Sequence, residues 1–202
     1  MSRKLTIEKR ILIAAMELFV KRRHEEVNVS ELAKIAGVAR GTIYNNFENL
    51  DTLLDAVTNF LTQEMNTLLE DHFQVIPDPA RRVSMGIRLY IQRAKDEPLW
   101  GEFLCKFGLE NTSLRELLVG PFGTDIRKGL SEKRFHFKQD QLKSIIGFIG
   151  STVLFAIHLV NEGDRTWVEA GSDCAEFSLR SLGVHPEEAK KIASEKMIKL
   201  DY

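Results

Sequence analysis

The stretch Val29–Phe47, VSELAKIAGVARGTIYNNF, decides the fold of the amino-terminal part of the chain. Its apolar residues recur at helical spacing on both sides of Gly37, which supplies the backbone freedom that a tight turn requires. On the second of the two short helices, Ile43 and Phe47 lie four residues apart and face a shared core. The pattern predicts a helix-turn-helix, in which the second helix reads base edges in the major groove of DNA.

The outward side of the second predicted helix carries donors, acceptors and one amphipathic ring, which suit phosphates and base edges. With one serine at the start of the first helix, the predicted DNA contacts are Ser30, Arg40, Thr42, Tyr44, Asn45 and Asn46. Adjacent helical residues point about 100° apart, so only one of the two asparagines is expected to face the groove.

Signals on either side of this stretch complete a three-helix head. Asn28, followed three residues later by Glu31, predicts an N-cap with a reciprocal acidic partner. One apolar stripe upstream predicts a covering helix and consists of Ile11, Ala15, Leu18 and Phe19. Downstream, the absence of Pro and Gly from Asn49 to Asp71 predicts a long fourth helix. We therefore expect a helix-turn-helix domain over residues 1–48 and a second domain over 49–202.

The order and spacing of these residues resemble the amino-terminal domain of the tetracycline-repressor (TetR) family. The matching positions are Ile11, Ala14–Ala15, Leu18–Phe19, Val29–Ala36, Gly37–Val38, Gly41–Tyr44, Phe47 and Leu53–Leu54. The resemblance implies an all-α protein in which a long helix joins the head to a helical ligand-binding and dimerisation body. It also implies a homodimer that binds a double-stranded DNA operator, typically as a repressor, and a small-molecule inducer that releases it.

Several positions depart from the family pattern. Leu50 stands where the family usually has a Lys that touches a phosphate, and Glu48 lies nearby. Ala39 stands where an N-capping Ser is common, at a typical cost of about 1 kcal/mol. The cluster Lys21–His24 replaces the usual Gly and is either a charged last helical turn or a phosphate-facing patch. These departures keep open an alternative, a TetR-like ligand-binding or protein-interaction module with weakened DNA binding.

Charge is distributed unevenly along the chain. Its 202 residues include 28 Lys and Arg against 29 Asp and Glu, but residues 1–47 hold nine basic against five acidic residues. The rest of the chain is net acidic. This asymmetry concentrates attraction for phosphates on the head and favours end-on DNA binding.

Other classes of protein find little support in the sequence. Cys105 and Cys174 are too few for a disulfide framework and indicate small apolar residues in a reducing compartment. No amino-terminal signal is evident, and the longest apolar run, 145–160, is interrupted by small and polar residues. We expect a cytoplasmic protein that is not bound to a membrane. Phosphate loops, nucleophile elbows, paired carboxylates and metal-binding histidine spacings are missing, so neither an enzyme, a metal nor a cofactor is expected.

The pattern stays helical after a linker-like break at Gln74–Pro79. Gly120-Pro121-Phe122-Gly123 is expected to break or kink a helix, or to form a turn between two shorter ones. Aromatic residues of this region can line an apolar ligand pocket with polar anchors, or can simply fill the core. The pocket candidates are Arg88, Tyr90, Trp100, Phe103, Phe107, Phe122, Phe148 and Phe155, with His158 as a further anchor.

Two late helices, predicted over 140–162 and 167–182, suggest a self-complementary interface. The first is apolar on two sides, and the second carries a stripe of small residues that permits close backbone approach. The interface candidates are Gly147, Gly150, Ser151, Leu154, His158, Ala170, Gly171, Cys174, Ala175 and Ser178. A two-fold dimer would hold two heads about 34 Å apart, the spacing of successive major-groove faces in a near-palindromic operator.

Overall fold

The computed structural model describes residues 5–22, 26–73, 75–109 and 112–197 of the chain. Within these ranges the chain forms helices joined by short loops, and no β-strand occurs there. In chain order the helices are α1 (Ile7–Lys21), α2 (Val29–Ala36), α3 (Arg40–Asn46), α4 (Leu50–Phe73), α5 (Pro79–Asp96), α6 (Pro98–Phe107), α7 (Thr112–Ser131), α8 (Leu142–Asn161), α9 (Trp167–Ser181) and α10 (Pro186–Ala193). The all-α fold predicted from the sequence is confirmed.

The chain divides into two compact units, Met1–Glu64 and Met65–Tyr202. The first contains α1, α2, α3 and the beginning of α4, and we call it the head. The second contains the end of α4 and the remaining helices, and we call it the body. This division lies inside α4, whereas the sequence pattern places a boundary at residue 48, just before α4 begins. The first turns of α4 cluster with the head, to which they contribute the buried residues Leu53 and Val57.

Helix α1 provides much of the head's core. Its N-cap is Thr6, whose hydroxyl accepts a hydrogen bond from the backbone N–H of Lys9 at 3.2 Å. The four residues of the predicted apolar stripe are all buried, as expected. The ammonium of Lys9 fastens α1 to α4, because it lies 2.8 Å from Glu64 Oε1 and 5.0 Å from the ring centre of Phe60.

Of the two predicted capping interactions at the start of α2, only the one from Asn28 is present. Asn28 Oδ1 accepts a hydrogen bond from the backbone N–H of Ser30 at 2.8 Å, which confirms the N-cap. The expected reciprocal partner is wrong, because Glu31 instead pairs with both terminal nitrogens of Arg22 at 2.6 and 3.0 Å. A fork of two charge-assisted bonds outcompetes a single bond to a backbone N–H. Within the basic cluster Lys21–His24, Arg23 and His24 lie outside the described residues.

Helix α5 is the centre of the body and packs against α6, α7, α8, α9 and α10. It begins after Asp78, which accepts a hydrogen bond from the backbone N–H of Ala80 at 3.0 Å. Asp78 also pairs with Arg134 at 3.0 Å, and Arg134 reaches Glu188 of α10 at 2.8 Å. Burial acts to raise the pKa of Asp78, but the bonds from Arg134 and Ala80 outweigh it and hold the pKa below its ordinary value.

Arg82 joins the end of α4 to α5 and α7 inside the body. Its Nη1 donates to the carbonyl of Phe73 at 3.0 Å, and its Nε lies 2.7 Å from Asp125 Oδ1. The guanidinium also lies 5.0 Å from the ring centre of Phe73. One cation therefore holds the last turn of α4 through both its backbone and its side chain.

Helix α7 continues through Pro121 without a turn. The expected break, and with it the alternative of two shorter helices, is therefore wrong. A proline removes one backbone hydrogen bond from a helix, but tertiary packing can hold the helix together. Phe122 and Ile126, on the carboxyl-terminal side of Pro121, are buried in the body.

Helix α8 and its preceding turn, Gln139–Asn161, form a segment long and apolar enough to cross a membrane by length and composition. The apolar residues of one side are buried, and α8 packs against α5, α6, α7 and α9. Core helices of helical proteins pass the same test of composition.

Candidate functional site

Helix α3 separates a buried side from a polar, exposed side. Ile43 is buried in the head, whereas Arg40, Gly41, Tyr44, Asn45 and Asn46 are exposed and Thr42 is half-buried. Tyr44 has 56% of its surface exposed despite its large ring. Ser30 is exposed near the start of α2. All six predicted DNA-contact residues therefore keep at least part of their surface accessible in the head.

The two asparagines of α3 differ in their hydrogen bonding. The side-chain amide of Asn46 donates to the carbonyl of Thr42 in its own helix, at 2.7 Å. Asn45 is exposed on the same helix. An amide that is already bonded to its own backbone is a poorer reader of adenine than a solvated one. Asn45 is the better candidate of the two.

The turn before α3 has the geometry that the sequence predicts. Gly37 adopts the left-handed conformation, with φ 64° and ψ 41°. Its N–H bonds the carbonyl of Lys34 at 3.2 Å, and the N–H of Val38 bonds that of Ala33 at 2.9 Å. These two bonds form a Schellman motif, which favours glycine at the left-handed position. As expected, Ala39 gives α3 no side-chain cap.

A cavity of about 380 Å³ lies in the head where α3 meets α4. Its apolar wall consists of Val29, Ile43, Tyr44, Phe47, Leu50 and Leu53. Polar residues of the lining are Glu48, Asn49 and Asp51. Leu50 is half-buried, so the residue that replaces the family's usual lysine contributes apolar surface at this point.

The body assembles part of the predicted pocket set into one buried aromatic cluster. The ring centres of Tyr90 and Trp100 lie 5.8 Å apart, and those of Tyr90 and Phe122 lie 5.4 Å apart. Phe103 and Phe107 form a second pair at 4.8 Å. Burial raises the pKa of Tyr90 far above its ordinary value, so this phenol stays neutral.

Two charged residues beside this cluster were missed at the sequence level. The buried guanidinium of Arg93 lies 4.9 Å from the ring centre of Trp100. Asp125, one turn after Phe122, is buried, and burial raises its pKa despite the nearby Arg82. The sequence contains a signal for both residues. Arg93 follows Tyr90, and Asp125 follows Phe122, by three residues, so each lies on the same helix face as a predicted pocket aromatic.

Polar atoms in this region are also left without partners. Trp100 Nε1 and Asp125 Oδ2 are buried and accept or donate no hydrogen bond among the described residues. A buried polar atom without a partner typically costs about 1–3 kcal/mol, so native proteins keep few of them. The two atoms lie at different points along α5, because Asp125 pairs with Arg82 whereas Trp100 lies against Arg93, eleven residues further along the helix.

Three of the predicted pocket residues lie elsewhere. Phe148 and Phe155 have 51% and 61% of their surface exposed on α8, so they do not line an enclosed pocket of the body. Arg88 is buried, but its Nη1 donates to the carbonyl of Glu195 at 2.7 Å. Arg88 therefore serves the carboxyl-terminal segment after α10. Tyr90, two residues along α5, points to nearly the opposite side of the helix.

The predicted small-residue stripe of α9 is buried inside the protomer, which overturns its assignment to a dimer interface. The buried residues are Ala170, Gly171, Cys174, Ala175 and Ser178. They let α5 approach closely, because a Cβ at Gly171 would lie 3.4 Å from Arg88 Cγ and 3.7 Å from Arg88 Cα. A stripe of small residues fits a close partner helix, and that partner is α5 of the same chain.

Helices α8 and α9 instead expose large apolar side chains. Helix α8 exposes Phe148 and Phe155, and α9 exposes Val168 and Phe177, with 50% and 52% of their surfaces accessible. Phe148 and Phe155, seven residues apart, share one side of α8, which we call the phenyl face, whereas Val168 and Phe177, nine residues apart, point to opposite sides of α9. Of the α8 interface candidates, Gly147, Ser151 and His158 are exposed, whereas Gly150 and Leu154 are buried in the protomer. For the latter two the predicted interface role is wrong.

The cysteines are free thiols. Cys105 is half-buried, and Cys174 is buried. Burial raises the pKa of Cys105 to about 11, which keeps the thiol protonated at neutral pH. In the part of the chain that the structure describes, no group of three His, Cys, Asp or Glu residues is arranged to hold a metal ion.

Comparison with known proteins accounts for both units. Residues 11–57 match the bacterial regulatory proteins of the tetR family, and residues 78–195 match the tetracyclin repressor-like carboxyl-terminal domain. The HTH-type transcriptional regulator YvkB of Bacillus subtilis is 37% identical over 165 residues, which cover 78% of this chain and 85% of that protein. An uncharacterised HTH-type transcriptional regulator of Mycobacterium tuberculosis is 29% identical over 89 residues, which span only 44% of either chain.

Solved structures share the fold at lower sequence identity. RolR in complex with resorcinol has a TM-score of 0.75 and 23% identity, with 96% of both chains covered. FadR from Bacillus subtilis in complex with stearoyl-CoA has a TM-score of 0.72 and 18% identity, with 87% of this chain and 98% of that chain covered. Because both units match and a relative aligns along most of its length, the chain belongs to the TetR family of bacterial regulatory proteins.

Proposed function

We propose that this protein is a cytoplasmic, homodimeric transcriptional repressor that a small molecule releases from a near-palindromic DNA operator. The observation that carries the proposal is the exposed polar side of α3, which follows directly on a left-handed glycine turn. A helix that buries Ile43 and presents Arg40, Tyr44 and Asn45 outward is suited to enter the major groove. The net positive charge of residues 1–47 supports the same role.

Roles for the exposed residues of the head follow from their chemistry. Tyr44 directs its hydroxyl to a phosphate, and Arg40 reaches a phosphate or a guanine edge. Asn45 pairs with adenine, since the Asn46 amide is bonded to Thr42. Ser30, near the amino terminus of α2, contacts the phosphate backbone. Phosphate contacts provide affinity and register, while the base contacts provide specificity.

A second copy of the chain is the partner proposed for the phenyl face. Phe148 and Phe155 lie seven residues apart on α8, which is two helical turns. Helix α9 also exposes Val168 and Phe177, but they point to opposite sides of that helix, so only one of them can extend this surface. Large exposed apolar patches of this kind mark association surfaces, and a two-fold dimer lets one patch pair with itself. Gly147, Ser151 and His158 would lie within the same interface.

The inducer is proposed to bind beside the aromatic cluster of the body. Tyr90, Trp100 and Phe122 offer stacking surfaces, and the unpartnered Trp100 Nε1 offers a donor. Apolar walls with few convergent polar groups are typical of small-molecule sites. RolR in complex with resorcinol and FadR in complex with stearoyl-CoA make hydroxylated aromatics and acyl chains the first classes to test.

Titration of the full chain against the DNA upstream of its own gene tests the proposal. We expect saturable binding whose affinity falls steeply with salt, together with a preference over a scrambled duplex of equal length. Absence of binding even at low salt would favour the second candidate, a ligand-binding or protein-interaction module. That candidate is supported by Leu50, by Glu48 and by the missing cap at Ala39.

Inducer binding has its own readout. The chain has two tryptophans, so a Trp167→Phe variant leaves Trp100 as the only indole. We expect resorcinol or an acyl-CoA to change the fluorescence of Trp100 and to weaken DNA binding over the same concentration range. A ligand that dissociates the DNA without changing this fluorescence would place the inducer site elsewhere.

A further inference from the structure

Arg10, in the first turn of α1, reaches the turn of the helix-turn-helix. Its Nη2 donates to the carbonyl of Ala36 at 2.5 Å and to the carbonyl of Gly37 at 2.6 Å. Both carbonyls lie at the carboxyl end of α2, where a helix leaves acceptors without intrahelical partners and carries partial negative charge. A guanidinium at this place satisfies two such acceptors at once.

The left-handed glycine and this arginine fit each other. The two Schellman bonds of the turn use the carbonyls of Ala33 and Lys34, which lie upstream of the two that Arg10 bonds. A Cβ at Gly37 would lie 2.6 Å from Arg10 Nη2, which is shorter than non-bonded contacts of real Cβ atoms. The glycine therefore gives the chain its left-handed turn and leaves space for the guanidinium as well.

Helix α1 holds α2 at both ends, but only one end leads to the DNA-reading helix. Arg22, just after α1, pairs with Glu31 in the first turn of α2, at the far end from the turn. Helix α3 starts only three residues after Gly37 and has no side-chain cap of its own. The direction in which α3 leaves α2 thus depends on how firmly the turn is held.

We propose that Arg10 is a positioning residue for DNA recognition: it fixes the turn at Gly37 and thereby the angle of α3, without touching DNA. This inference rests on the DNA-binding function proposed above. A misplaced α3 loses base contacts, which need correct geometry, more than it loses the general attraction of the head for phosphates. Loss of Arg10 therefore lowers the preference for the operator, while the salt dependence of binding is unchanged.

The experiment compares Arg10→Ala and Arg10→Lys with the matched control Glu31→Gln. The control breaks the ion pair at the other end of α2 and removes no positive charge. Dissociation constants are measured for operator and scrambled duplexes across a range of salt concentrations. At about 1 kcal/mol for each of the two lost hydrogen bonds, and 1.4 kcal/mol for each factor of ten, Arg10→Ala should lower the ratio of operator to scrambled affinity by up to about thirtyfold per head.

Lysine keeps the charge but lacks the planar guanidinium, so Arg10→Lys should recover only part of that ratio. Glu31→Gln should leave the ratio nearly unchanged. If Arg10→Ala instead weakens both duplexes equally and flattens the salt slope by about 0.9 per head, Arg10 is a phosphate contact and the proposal is wrong. Equal loss of the ratio in Glu31→Gln would also overturn it, because general loosening of α2 would then explain the effect.

Thermal unfolding of Gly37→Ala in the native and Arg10→Ala backgrounds provides a test that does not need DNA. An added Cβ meets Arg10 Nη2 only where the arginine is present, whereas the left-handed strain is common to both backgrounds. We expect the substitution to lower the unfolding midpoint more in the native background. Equal losses in both backgrounds would refute the contact. If the native chain binds no DNA, the proposed function fails. The comparison of Gly37→Ala in the two backgrounds still tests the contact between Arg10 and the turn.

Discussion

At the scale of single residues, Tyr44 belongs both to the wall of the head cavity and to the exposed side of α3. Replacing it with Phe removes the hydroxyl and keeps the ring. A hydrogen bond to a charged group contributes about 1.5–3 kcal/mol, so we expect a marked loss of DNA affinity that is equal for all sequences. Binding of Tyr44→Phe to operator and scrambled duplexes measures this. A change in operator preference would contradict the phosphate role.

Leu50 makes a second prediction at this scale. A Lys at the start of α4 would add one phosphate contact per head, so Leu50→Lys should steepen the salt slope of a dimer by about 1.8 units and tighten binding at low salt. Some loss of head stability is expected, because Leu50 is half-buried in the cavity wall. Leu50→Gln is the control, since it loses the same apolar surface and adds no charge. An unchanged slope in a folded variant would mean that this end of α4 does not approach phosphates.

Single residues also show how far sequence reasoning reaches. The left-handed Gly37 and the uncapped Ala39 follow from backbone rules that depend on immediate neighbours, and both expectations are confirmed. The predicted partner of Glu31 is wrong, because Arg22, at the end of α1, is brought to α2 by a tertiary contact. Arg10 was missed for the same reason. Local rules do not contain the tertiary contact that brings a long side chain to a distant helix end.

At the scale of elements, the stripe of small residues on α9 should control stability, with little effect on assembly. A methyl group at Gly171 would meet Arg88 Cγ at 3.4 Å, an ordinary contact. Gly171→Ala should therefore be neutral or slightly stabilising, since alanine favours a helix by roughly 0.5–1 kcal/mol over glycine. Gly171→Leu should lower the free energy of unfolding by about 1–3 kcal/mol through overpacking.

Chemical denaturation of the two variants measures these free energies, and sedimentation records whether assembly changes. If Gly171→Leu is as stable as the native protein but monomeric, the stripe lies in the dimer interface after all. The helix periodicity identified both apolar sides of α8 and the stripe of α9 from the sequence. It could not tell which side meets α5 and which meets solvent, because that choice depends on how helices far apart in the chain pack together.

At the scale of the whole molecule, assembly is predicted to depend on the phenyl face. Phe155→Glu should weaken the dimer strongly. Burial of each phenyl ring contributes about 2 kcal/mol to association, and a two-fold dimer buries two of them. The expected rise in the dimer dissociation constant is roughly a thousandfold. Val75→Glu is the control, because Val75 is an exposed apolar residue on the loop between α4 and α5.

Sedimentation across a range of protein concentrations measures this constant. If Phe155→Glu stays as dimeric as Val75→Glu, the chain associates through another surface. The association of α8 and α9 stays a prediction. Of its candidate residues, Gly147, Ser151 and His158 are exposed and stay in the proposed interface, whereas the other seven are buried inside the protomer. Small residues and exposed phenyl rings both suggest close contact, and only the fold distinguishes a contact within the protomer from one between protomers.

The missing cap at Ala39 also affects how often the first turn of α3 opens. The amides of Arg40 and Gly41 begin a helix of seven residues and receive no acceptor from the side chain before them. We expect these amides to exchange hydrogen for deuterium faster than those of α1 or α2 in the free protein. Ala39→Ser should slow that exchange. Between encounters with DNA, we therefore expect the first turn of α3 to open more often than the capped first turns of α1 and α2.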